Sequence, residues 1–188
     1  MASTVKPGLA SDAVVSAASL LKQQPVKIKE TLATGITGVD ELISGFPRGA
    51  ISEISGPETS GRTALLHSLL TSATTGQEVC AYVDADNSFD PFSAAQTGVV
   101  LSQLVWIRCG HDPAHALKAV DYLLYAGGFG VVVLDFGMLS QRQCNRIPLS
   151  YWYRFRRAVE DKPTILALIN KEPMAKSCAW RRRDNDCG

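Results

Sequence analysis

"GPETSGRT" at residues 56–63 is the stretch on which the fold turns. It follows the pattern G-x-x-x-x-G-K-[ST] at every position but one, with Arg62 where the lysine belongs. Such a loop works because its glycines let backbone amides turn inward toward an anion, while the helix that follows aims its positive N-terminal end at the same point. A glycine-rich turn without that role is the competing reading, and context separates the two. The loop follows "AISEIS" (50–55), where apolar and polar residues alternate, and leads into "RTALLHSLLTSA" (62–73), a helical run. Strand, loop and helix are the setting the motif requires.

Working outward, further apolar runs alternate with helical stretches. "EVCAYVDAD" (78–86), "SQLVWIRC" (102–109), "FGVVVLDFG" (129–137) and "KPTILALIN" (162–170) read as strands. Between them, "DPAHALKAVDYLLYAGG" (112–128) predicts a helix capped by Asp112, with Pro113 at its first position and Gly127 at its stop. Parallel neighbours need long return connections, so this alternation predicts an α/β fold with a mostly parallel sheet flanked by helices.

The chain has 188 residues, 46% hydrophobic and 20% charged, with a net charge of +1. Those values fit one globular domain and exclude a global electrostatic pull toward nucleic acid or membrane. Five cysteines without a C-x-x-C pair suggest neither a zinc site nor a disulfide framework. With no secretory pattern and no long apolar span, a soluble, cytoplasmic protein is expected. Before the core, "SDAVVSAASLLK" (11–22) places Val14, Ala17, Ala18 and Leu21 on one face of a short amphipathic helix. Pro25 then breaks it, so residues 1–30 are expected to form a helix and linker, residues 31–175 the core and residues 176–188 a basic tail.

A second site supports the first. Asp135 ends the apolar strand "VVVLDF", where a carboxylate is costly unless it faces a cleft and has a partner. In phosphate-loop proteins that partner is magnesium, also held by the loop hydroxyl, here Thr63. An Asp capping the next turn is the plainer alternative. "YVDADNSFDP" adds Asp84, Asp86 and Asp90.

The order "TGITGVDELISGFPRGAISEISGPETSGRTALL", "CAYVDADNSFDP", "VVVLDF" and "ILALIN" resembles the bacterial RecA recombinase and its relatives, over roughly residues 34–171. The resemblance implies a RecA-like P-loop NTPase core that binds ATP, magnesium and single-stranded DNA and assembles side by side. It places the phosphate loop on Gly56, Pro57, Glu58, Thr59, Ser60, Gly61, Arg62 and Thr63, and the magnesium-linked aspartate on Asp135. It puts the water-activating carboxylate on Asp86, an adenine-side aspartate on Asp90 and the nucleotide-sensing position on Lys171. Its DNA-contacting loops fall near Gln141 to Pro148 and Glu172 to Cys178, which makes Arg142, Arg146, Lys171 and Lys176 the candidate DNA contacts.

Three departures from the family weaken turnover. Arg62 keeps the charge, but a planar guanidinium does not replace a compact ammonium. Asp86 is one methylene shorter than the family's glutamate, and a displacement of about 1 Å costs on the order of a hundredfold in rate. Lys171 stands where a neutral amide senses the terminal phosphate. The family's adenine-stacking tyrosine position holds Ser93, beside Phe92.

After "ILALIN" a full recombinase continues with more strands and a C-terminal domain, whereas this chain runs to "AKSCAWRRRDNDCG". The pattern, with "IPLSYWYRFRRAVE" and "SCAW", is similar to short RecA-like accessory proteins of the ImuA type. That likeness implies damage-inducible translesion synthesis, with translesion polymerase accessory proteins or self-association through the N-terminal helix as partners, and no membrane.

Trp152, Tyr153 and Trp180 are available to stack on unpaired bases, with the neighbouring arginines on phosphate. Alternatively "SYWYRFRRAVE" is a helix burying Tyr151, Phe155 and Val159. Three functions remain on these residues: a regulatory or scaffolding RecA-like protein with weak or no hydrolysis, an active DNA-dependent ATPase, and a small-molecule kinase using the same loop.

Overall fold

The computed structural model describes residues 30–175 and 178–180. The expected N-terminal helix, Lys176 and the arginines at 181–183 lie outside them. Five strands form one parallel sheet: β3 (Ala50–Ser55), β4 (Cys80–Asp84), β5 (Leu104–Arg108), β6 (Val131–Asp135) and β7 (Ile165–Asn170), in the spatial order β3-β7-β6-β4-β5. Ahead of it, β1 (Thr31–Leu32) and β2 (Phe46–Pro47) pair antiparallel and flank α1 (Thr37–Ile43). Asp40 pins that segment, accepting from the Thr34 and Gly35 backbone amides.

The central strands are continuous apolar runs because helices cover both faces. On one side Cys80, Tyr82, Val131, Val133, Ile165 and Ala167 pack under Leu66, Leu69, Leu70 and Ala73 of α2 (Arg62–Thr75). On the other, Ala81, Val83, Val132, Leu134, Leu166 and Leu168 pack under α4 (Pro113–Ala126) and α6 (Leu149–Val159). Between them in sequence lie α3 (Pro91–Gln96) and α5 (Gln141–Cys144).

The reading of α4 holds in detail: Asp112 accepts from the Ala114 and His115 amides, and Gly127 stops the helix with φ 73°. Helix α6 also forms, but its buried face is turned by one residue from the expectation. Trp152, Phe155 and Val159 are buried, while Tyr151 is half-buried beneath the Arg154 guanidinium. Trp152, at 1% exposure, is therefore core and unavailable for stacking on bases. The run at 102–109 differs too, since Ser102 and Gln103 belong to a 3₁₀ turn and β5 is an edge strand that leaves Val105 and Trp106 exposed.

Parallel pairing in register brings Ser55, Asn170, Asp135, Asp84 and Arg108 to one edge of the sheet. In open α/β sheets ligands bind outside this C-terminal edge.

Candidate functional site

The phosphate loop leaves β3 at that edge. Gly56 N donates to the Asn170 carbonyl of the neighbouring strand, and Ser60 N donates to Pro57 O, which tightens the turn. Gly61, with φ 82°, is the N-cap of α2, a left-handed conformation that glycine adopts without strain. Loop residues Pro57 to Gly61 are exposed, as is Thr63 on the first turn of α2. Exposed amides at the start of a long helix form a cradle suited to phosphate.

Arg62 does not join this exposed surface. It is 7% exposed, and its Nη2 donates to the Gly137 carbonyl at 3.4 Å while Nη1 is buried with no partner. Its charge therefore sits beneath the loop, against the end of β6. There Asp135 accepts from Tyr82 Oη at 2.5 Å, Gly137 N at 2.7 Å and Ser88 Oγ at 3.4 Å. Burial, helped by the Asp84 charge, raises the Asp135 carboxyl above its ordinary value, and the Tyr82 and Gly137 donors and Arg62 oppose the rise. Burial and the Asp135 carboxylate likewise hold the Tyr82 phenol well above its usual range, so it stays a donor.

Asp84, in register with Asp135 on the next strand, is fully buried and accepts from Ser88 N, Phe89 N and Trp106 Nε1. Asp86 lies just past it. The Met138 amide donates to its carboxylate, His111 Nδ1 lies 3.8 Å from Oδ1, and Oδ2 is buried without a partner. Desolvation raises the Asp86 carboxyl, with the Asp135 and Asp84 charges adding to it.

Gly137 and Met138 thus touch Arg62, Asp135 and Asp86, three residues far apart in sequence. A Cβ on Gly137 would come within 2.9 Å of Asp135 Oδ1 and 3.6 Å of Arg62 Nη2, so only glycine fits this clamp without displacement. Sequence reasoning missed Tyr82, Ser88, Gly137 and Met138; their signals were a tyrosine two residues before Asp84 on the same strand face and a glycine directly after "DF".

Asp90 is exposed and caps α3, accepting from the Phe92 and Ser93 amides. Lys171 Nζ pairs with Glu58 Oε1 at 2.7 Å, and this bond holds Glu58 below the ordinary carboxylate value. Arg142 and Arg146 are exposed beyond β6. The second expected DNA loop is partly core: Met174, Ala175 and Cys178 are buried, and Glu53 Oε1 accepts from Met174 N, Ala175 N and Asn170 Nδ2.

The exposed loop and the α2 N-terminus offer this cradle to an anion, with Gly56 N and Ser60 N already engaged within the protein. A magnesium ion contacting both Thr63 and Asp135 would compete with the three donors that Asp135 already accepts from and would face the buried guanidinium beside it.

The RecA N-terminal domain family model matches residues 12–140. The chain is 37% identical over 117 residues to Protein RecA of Wolbachia sp. subsp. Drosophila simulans, covering 61% of this chain and 33% of that protein. It is 36% identical over 117 residues to Protein RecA of Rickettsia bellii, covering 61% and 34%. The chain thus spans about a third of the length of the curated relatives it matches. Among solved structures, the RadB recombinase superposes with a TM-score of 0.62 at 22% identity, over 74% of this chain and 70% of that one, a likeness of fold.

Proposed function

The chain belongs to the RecA N-terminal domain family, and from that premise we propose that it is a RecA-like protein of DNA repair and damage tolerance acting as a regulatory or scaffolding factor. Within the family we place it beside the ImuA-type accessory proteins of translesion synthesis. The observation that carries this reading is the inward Arg62, tied to Gly137 and withdrawn from the exposed loop. ATP is the ligand assigned to residues 56–63, and when bound it would supply the triphosphate anion that orders the loop.

The chain's own groups hold that anion without favouring turnover. Backbone amides and the α2 N-terminus bind it, while the Arg62 cation is drawn below the loop toward Gly137, away from the place where charge develops at the terminal phosphate. Asp90 and Phe92 lie on the adenine side in this reading. Exposed Arg142 and Arg146, with Lys171, supply contacts to single-stranded DNA. Partner docking or self-association is assigned to residues 1–30, where the sequence predicts a helix and linker; deletion of residues 1–30 should change oligomer mass or partner binding, and no change in either would refute it.

An active DNA-dependent ATPase is the second reading, and one observation favours it. Asp86 Oδ2 is buried without a partner and its carboxyl is raised by desolvation, as suits a general base for water. ATP titration with phosphate release followed with and without single-stranded DNA separates the readings. Binding without DNA-stimulated release supports the scaffold; stimulated release establishes the ATPase.

A further inference from the structure

We infer that the phosphate loop takes its triphosphate without a divalent cation, with the buried Arg62 guanidinium as the site's fixed positive charge. This rests on the nucleotide reading of the loop above.

Phosphate-loop enzymes balance the triphosphate with a lysine and a metal ion. Here one internal group stands in place of both. Arg62 carries its charge into the floor of the site with a single long bond to a neutral carbonyl and an unpartnered Nη1, and that charge acts on the Asp135 carboxylate beside it.

The carboxylates that would receive a metal are already engaged. Asp135 accepts from Tyr82, Ser88 and Gly137 and Asp84 from two amides and an indole, while Asp86 accepts from Met138 and keeps only its buried Oδ2 unpartnered. A divalent ion near Thr63 and Asp135 would also face the guanidinium across a poorly screened interior, where like charges repel strongly.

The test is calorimetric titration of the full chain with ATP, once in excess magnesium and once in excess EDTA. Dissociation constants agreeing within about threefold are expected. Weakening by about tenfold or more on chelation overturns this inference and leaves the nucleotide reading standing, whereas no binding in either buffer overturns both. The variant Arg62→Lys should acquire a magnesium dependence of about tenfold, since an ammonium offers a smaller and more mobile charge. If it binds ATP equally well with and without magnesium, Arg62 is not the group that replaces the metal. The wild-type comparison decides the point even where that variant does not fold.

Discussion

Val131, Val132, Val133 and Leu134 are fully buried and offer their surroundings only volume, yet one residue further along the same strand Asp135 is held by three donors drawn from three places in the chain. The middle of the sheet and its C-terminal edge are thus adjacent and governed differently. In the middle, burial of apolar area is non-directional and any well-filled arrangement serves. At the edge each carboxylate is stable only because particular donors meet it, so removing one donor leaves a desolvated group exposed to the full cost.

Substitutions separate the two regimes. In the interior, Phe155→Ala should cost about 3 to 5 kcal/mol by denaturant unfolding, because it opens a cavity among Trp152, Val159 and the sheet; a cost under about 1 kcal/mol would mean that α6 packs loosely. At the edge, Asp84→Ala should cost about 2 to 3 kcal/mol despite removing little volume, since it strands the Ser88 and Phe89 amides. A neutral result there would erase the contrast.

Tyr82→Phe, a change of one oxygen, should cost about 1.5 to 2 kcal/mol at neutral pH. Its pH dependence sharpens the point. The folded carboxyl of Asp135 is already raised, so its burial lowers stability once pH rises above the unfolded value. Loss of the tyrosine donor raises the folded value further, so the penalty of Tyr82→Phe should grow with rising pH and fade in acid. A pH-independent penalty would show that packing, and not the hydrogen bond, is at stake.

Asp86→Asn should raise stability slightly at neutral pH, and the gain should shrink as pH falls through the raised folded value of Asp86. The smallest effect belongs to the exposed Lys171–Glu58 pair. Lys171→Ala should leave the unfolding midpoint unchanged while weakening single-stranded DNA retention in a filter assay.

The same divide explains what could be read from the sequence. Helix α4 was legible because cap, proline, periodicity and stop are local signals that agree, and the strand-loop-helix unit at 50–75 because glycine spacing and apolar runs are local as well. Asp135 was legible as a buried carboxylate, since a charge ending an apolar strand is conspicuous. The direction of Arg62 was not, because it depends on the Gly137 carbonyl, 75 residues away in sequence. Nor was the face of α6, where apolar residues at 151, 152, 155 and 159 fit two helical faces and the packing against α4 chose between them. The β1–β2 ribbon escaped because two-residue strands carry no periodicity. Among the described residues no helix is long and apolar enough to cross a membrane.

The clamp formed by Gly137 also couples two positions of the site. Arg62→Lys would take the guanidinium donor away from the Gly137 carbonyl. A change at position 62 reaches Gly137 and a change at position 86 reaches Met138, so both disturb the same two-residue segment. The two positions, 24 residues apart in sequence, are thereby tied mechanically through the turn that follows β6.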